Sequence, residues 1–163
     1  MSKIKLLILL LVSIFTFACT NNKVHNIDQK YSLAYIGGEF DGLLLKNYLI
    51  SSLKNLNIYD QNSNYQIQAH ISHGSNLFIT NIDNTSDREK ITSNLSIRIF
   101  NNQSSCVIYG DSFNVSQFYV YAASDKFLSN QIATRKIKKD NTEALVKHFL
   151  NKLKNIENEC EKS

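Results

Sequence analysis

The residue with the most specific chemistry is Cys19, directly after the small residue Ala18 at the end of an apolar run. A cysteine so placed is a substrate for thiol alkylation by diacylglycerol, cleavage on its N-terminal side, and acylation of the freed amine. Residues 1–5 carry the cations Lys3 and Lys5. Residues 6–12, with Ile14, Phe15 and Phe17, form the apolar run. A charged start, a short apolar stretch and a small residue at the cut are the layout of a secretory signal. The run is shorter than the ~20 apolar residues a membrane-spanning helix needs. Thr16-Phe17-Ala18-Cys19 departs from the usual lipobox, with Thr in place of Leu and Phe in place of a small residue. The competing readings are an ordinary signal peptide with a chance cysteine, and an uncleaved anchor. The clean charged and apolar regions favour lipidation of Cys19. Thr20 is not the Asp that retains lipoproteins in the inner membrane of enteric bacteria, so export to the outer membrane is permitted.

No other group announces catalysis. His70 and His73 are three apart on an expected strand, so they point to opposite faces and make a poor zinc pair; both are expected at the surface or rim. No Gly-x-Ser-x-Gly, phosphate loop or paired-cysteine motif is present. Asp111 has no evident partner and is expected at the sheet rim or on a backbone amide. Arg88 and Lys90 at a turn, with Arg98 on the strand that follows, form a mild basic set. Neither an enzyme nor a bound cofactor or metal is expected. With Lys3 and Lys5 removed, the 18 Lys and Arg fall to 16 against 14 Asp and Glu, a net charge of +2. That is too mild to argue nucleic-acid binding.

The elements that must position these residues follow from periodicity. Residues 1–18 are the signal, 19–30 a polar lipidated tether, and 31–163 a single domain. Residues 31–36 are a short strand ended by Gly37-Gly38. Residues 39–56 read as a helix with the apolar stripe Phe40, Leu43, Leu44, Tyr48 and Leu49, and Glu39 and Asp41 suit its first turn. Tyr65, Ile67, Ala69 and Ile71 alternate with polar residues, as in a half-buried strand. His73-Gly74-Ser75 suggests a bulge or kink, with Leu77, Ile79 and Ile82 continuing beyond it. After a polar turn at 81–88, residues 91–100 alternate again, with Leu95, Ile97 and Ile99 inward. Residues 106–116 form a strand with Val107, Tyr109, Phe113 and Val115 on one face. Residues 116–158 read as helical, with Ala123, Phe127, Ala133, Ile137, Leu145, Phe149, Leu153 and Ile156 in one stripe. Asp140-Asn141-Thr142-Glu143 could be a capping box that divides this helix, and one long helix is equally compatible.

The expected architecture is α+β in the order β-α-β-β-β-α. Two helices pack on one face of a four-stranded, mainly antiparallel sheet. The other face carries Gln66, Gln68, His70, Asn94, Arg98 and Asn114. The last helix runs back along the last strand and brings Cys160 near Cys106. In an oxidising periplasm they could pair, and two unpaired thiols are the alternative.

This organisation resembles the lipopolysaccharide-assembly lipoprotein family LptE, especially its α-proteobacterial branch. The resemblance spans nearly the whole mature chain, although its motifs are loose. It is carried by Cys19, residues 33–36, and Gly42-Leu43-Leu44-Leu45-Lys46-Asn47-Tyr48-Leu49. Residues 65–71, the strand from Arg88 to Arg98, and Gly110-Asp111-Ser112-Phe113-Asn114-Val115-Ser116-Gln117-Phe118-Tyr119 continue it, the last leading into Ala122-Ala123-Ser124-Asp125. The resemblance implies an outer-membrane lipoprotein, held by its lipid anchor and facing the periplasm. Such proteins plug the LptD β-barrel, are needed for its assembly, and serve delivery of lipopolysaccharide to the outer leaflet. They catalyse nothing. Arg88, Lys90 and Arg98 then have the residue types to meet lipid A phosphates. The rival readings are another periplasmic lipoprotein, such as an auxiliary subunit of a lipid-transport ATPase, and an enzyme on a lipid tether.

Overall fold

The computed structural model describes residues 29–78, 88–120 and 127–156. The signal segment, Cys19, the tether as far as residue 28, the turn at 79–87, Ala123 and Cys160 lie outside the described residues. The elements run β1 (Ser32–Gly37), α1 (Glu39–Asn55), β2 (Tyr65–Phe78), β3 (Arg88–Asn101), β4 (Cys106–Val120) and α2 (Phe127–Leu153). The strands lie in the order 1-2-3-4, with β1 parallel to β2 and the other pairs antiparallel. Both helices cover the same face, as the two sets of apolar stripes require.

Alternation decides the centre of the sheet. Ile67, Ala69 and Ile71 of β2 and Ile91, Leu95, Ile97 and Ile99 of β3 all point inward and are buried. All of these but Ile91 share one core cluster with Leu45, Leu49 and Leu53 of α1, and Leu145, Phe149 and Leu153 of α2. Each buried Ile, Leu or Phe contributes about 1.5–3 kcal/mol of burial. The kink expected at His73-Gly74-Ser75 does not occur. Gly74 opposes Thr92 in an unbroken ladder from Tyr65 to Phe78, because β3 continues beside it and satisfies the backbone.

The last strand differs from expectation twice. Residues 116–120 are strand, not helix, because Arg88–Ile91 extend β3 far enough to pair with them. Between Ile99↔Tyr109 and Phe100↔Val107 the register shifts by one residue, and buried Ile108 is the extra one. Val107 therefore opposes Phe100 and leaves the face of Tyr109, Phe113 and Val115.

Helix α1 is turned relative to the expected stripe. Gly42, Leu45, Leu49 and Leu53 face inward, while Phe40 is 91% exposed and Leu43 60% exposed. The cause is backbone contact. A Cβ on Gly42 would lie 2.9 Å from the carbonyl of Gly37. Gly38, at φ 121°, would place one 2.6 Å from the Ile71 carbonyl oxygen. The two glycines let the helix begin directly against the sheet, and that contact fixes its phase.

Helix α2 is a single helix of 27 residues. The capping box does not form. Thr142 Oγ1 donates to the Lys138 carbonyl one turn back, at 2.7 Å, and the helix continues. Ile137, Leu145, Phe149 and Leu153 are buried as expected, whereas Phe127 is 63% exposed. At the opposite end of the sheet, Tyr31 N–H donates to the Ile58 carbonyl, and Ser32 Oγ donates to the Ser63 carbonyl. The chain from residue 29 enters at that end. Cys106 opens β4 there and is disulfide-bonded.

Candidate functional site

Among the described residues no helix covers the outer face of the sheet, and its side chains are mostly polar and exposed. Ladder partners Ser72, Asn94 and Asn114 form one row, and His70, Ser96 and Ser112 the next. They line a shallow depression of about 120 Å³. Thr92 and Ser116 hydroxyls bond across the strands at 2.9 Å. Gln68, Arg98 and Gly110 make a further row.

Toward the far end the same face changes character. Asn76, Lys90 and Phe118 share one row, and Phe78, Arg88 and Val120 the last. The Phe78 and Phe118 rings lie 5.8 Å apart, and the Lys90 ammonium sits 5.8 Å from the Phe118 ring centre. The lysine stem thus lies along apolar surface while its charge stays at the rim. Of the three cations expected to act together, Arg88 and Lys90 are neighbours on one face. Arg98 is eight residues along from Lys90, roughly 27 Å away, so it cannot share a phosphate with them.

A second polar cluster lies between the layers. His73 Nδ1 and Ser93 Oγ are 2.6 Å apart, and Asn141 Nδ2 donates to Ser93 Oγ at 2.9 Å. Gln117 Nε2 donates to Asn141 Oδ1 at 2.8 Å. His73 Nε2 lies 3.7 Å from Asp41 Oδ2, and Lys138 Nζ is 3.7 Å from the same oxygen. Burial lowers the His73 pKa below its ordinary value. Asp41 opposes that shift and Lys138 adds to it. The order acid, imidazole, hydroxyl has the look of a nucleophile relay, but Ser93 is fully buried and its oxygen is already bonded twice. The cluster is a clasp joining five elements: α1, β2, β3, β4 and α2.

His73 is thus not the surface or rim histidine the sequence suggested; its side chain is 2% exposed. The signal was present in the parity of β2. Positions 67, 69, 71 and 73 all point inward once no kink intervenes. His70, on the other parity, is exposed as expected. Asp111 sits at the rim and accepts the Ser112 N–H at 2.7 Å, one of its two expected placements, and also the Tyr109 hydroxyl at 3.0 Å.

A cleft of about 560 Å³ opens where α1 begins beside α2, with Glu39 and Asp41 facing Arg135, Lys138 and Lys139. Among the described residues no group of three or more His, Cys, Asp and Glu is placed to hold a metal ion. No described helix is long and apolar enough to cross a membrane.

No protein-family model matches the chain, and no curated protein matches it by sequence. Solved structures match it in fold. A minor lipoprotein from Acinetobacter baumannii aligns with a TM-score of 0.58 at 13% identity, over 78% of this chain and 91% of that one. Rare lipoprotein B from Shewanella oneidensis aligns at 0.61 and 9% identity, over 77% and 93%. A Caulobacter crescentus protein described as a lipoprotein aligns at 0.54 and 15% identity, over 76% and 88%. The chain therefore shares its α+β architecture with bacterial proteins described as lipoproteins.

Proposed function

We propose that this chain is an outer-membrane lipoprotein, anchored by lipid on Cys19 and facing the periplasm. Its domain would plug and help assemble an LptD-type β-barrel that carries lipopolysaccharide to the outer leaflet, without catalysis or a cofactor. The observation that carries the reading is the uncovered sheet face. Its middle rows carry mostly neutral polar side chains, with Arg98 among them, and it ends in the adjacent cations Arg88 and Lys90 beside Phe78, Phe118 and Val120. Such a face suits a water-filled lumen, and the cation pair suits a phosphorylated lipid. The likeness in fold to rare lipoprotein B and to a minor lipoprotein supports the same reading. Arg98 is not part of that phosphate site, because of its distance along β3.

Affinity purification of the tagged full-length protein tests the proposal. The expected result is recovery of an outer-membrane β-barrel in a complex that resists heating in detergent. Recovery of an inner-membrane lipid-transport ATPase instead would reject the barrel reading in favour of an auxiliary-subunit role. Metabolic labelling with an alkyne fatty acid tests the anchor: the label should enter the wild-type protein and be absent from Cys19→Ser.

A further inference from the structure

The two halves of α2 are held in different ways. Leu145, Val146, Phe149 and Leu153 of its second half belong to the core cluster. The first half, 127–142, buries Ile137 alone of its large apolar side chains, and Ile137 lies outside that cluster. Phe127, Leu128 and Ile132 are exposed. The bonds that hold this half to the sheet are polar. The Tyr119 hydroxyl meets Thr134 Oγ1 at 3.1 Å, and Asn141 bonds Ser93 and Gln117. Lys138 adds an ion pair to Asp41 of α1.

The Asn141 bonds have a direction. Gln117 Nε2 donates to Asn141 Oδ1, and Asn141 Nδ2 donates to Ser93 Oγ. Ser93 is fully buried, so its own hydroxyl proton needs an acceptor. His73 Nδ1, 2.6 Å away, is placed to accept it. A ring nitrogen that accepts is bare, so neutral His73 carries its proton on Nε2. That nitrogen has no hydrogen-bond partner among the described residues and lies 3.7 Å from Asp41 Oδ2. Every donor thus runs the same way, from Gln117 through Asn141 and Ser93 to His73.

A second proton on His73 must go to Nδ1, the atom that Ser93 occupies. Ser93 Oγ then receives two donors, and its own proton has no acceptor unless the Asn141 and Gln117 amides both turn over. The imidazolium also draws on Asp41, the carboxylate that holds Lys138. Both changes fall on the first half of α2. The charged groups facing His73 are Asp41 from α1 and Lys138 from α2. Glu39, Arg135 and Lys139 line the cleft beyond Asp41. β3 and β4 present neutral Ser93 and, through Asn141, Gln117. Glu89 and Tyr119 stand farther along these strands and bond each other. β1 ends at Gly37, opposite His70.

From this geometry we infer that the clasp is an acid-sensitive latch: a proton on His73 releases residues 127–142 of α2 from the sheet, while residues 145–153 stay packed. Opening wets His73, so the open form takes up the proton at the ordinary histidine value of about 6.5, and the closed form only at lower pH. Between those two values opening increases as pH falls, by up to about tenfold per pH unit. The inference does not depend on the barrel partnership or on the anchor.

Two measurements on the full-length protein in detergent micelles test it. Nitrogen NMR of the isotope-labelled protein at neutral pH should show His73 Nδ1 as a bare, hydrogen-bonded nitrogen and Nε2 as N–H. The opposite tautomer would overturn the inference, and this reading needs no substitution. Amide hydrogen exchange, corrected for the intrinsic rate at each pH, reads the opening. Amides of residues 131–139 should be less protected than those of 146–152 throughout. Their protection should drop about three- to tenfold between pH 7.5 and 5.5. In His73→Gln, which keeps an acceptor for Ser93 but does not titrate, the drop should vanish. Equal protection in the two halves, protection at 131–139 that ignores pH, or the same drop in His73→Gln would each overturn the inference.

Discussion

Asn141 ties the helical layer to the sheet. It is fully buried, donates to Ser93 and accepts from Gln117. Replacing it by Leu strands two polar partners in a dry site, at a cost of about 2–4 kcal/mol. Urea unfolding should show that loss as a lower midpoint with an unchanged slope. His73 adds a pH dependence. Its folded pKa is depressed, so the unfolded chain takes up a proton first as pH falls. Stability should be full above the ordinary histidine value of about 6.5 and decline as pH falls through it, until the folded pKa is reached. Thermal melts between pH 7.5 and 5 should show this decline, and His73→Gln should flatten it. Neither role was plain in the sequence. Asn141 looked like part of a cap because Asp, Asn and Thr cap helices. Only a partner 48 positions away, Ser93, shows that it faces inward. His73 was legible by parity, but the adjacent Gly74-Ser75 imitated a break.

The elements were legible where one face is dry and the other wet. β2 and β3 alternate strictly, and their inward residues follow from that alternation alone. The phase of α1 was not legible, because Leu43, Leu44 and Leu45 put apolar groups around much of its circumference. A glycine contact chose among them. Gly42→Ala should therefore destabilise: overpacking against Gly37 costs roughly 1–3 kcal/mol, against about 1 kcal/mol gained in helix propensity. A lower melting temperature would show this, while a higher one would mean that α1 can shift away from β1. The end of β4 was missed because residues 116–120 find strand partners only through β3. Asp111 also guards this outer strand by occupying the Ser112 N–H, which an added strand could otherwise use. Burial and the Asp111 carboxylate push the Tyr109 hydroxyl up to about 12.

At the scale of the whole molecule, the domain is a two-layer blade whose 14-residue central strands span roughly 45 Å. The layer count and the order of elements could be read from the succession of patterns, whereas the place of β1 beside β2 could not. The exposure of Phe118 and Phe127 could not, because Phe127 fitted a helical stripe and Phe118 stood in a segment read as helix. Cys106 staples the end at which the chain enters. Non-reducing peptide mapping should recover Cys106 linked to Cys160, and Cys106→Ser should cost about 3 kcal/mol. β1 accompanies β2 only from Gln66 to His70, and α1 begins at that level. Beyond it, among the described residues, 72–78 of β2 pair on one side alone. Amide hydrogen exchange should therefore run as a gradient, slowest near Ile67 and Ile99 and faster toward Phe78 and Val120. The end that carries the exposed aromatics would open locally without unfolding the core, so it could reshape around what it meets while the stapled end stays rigid.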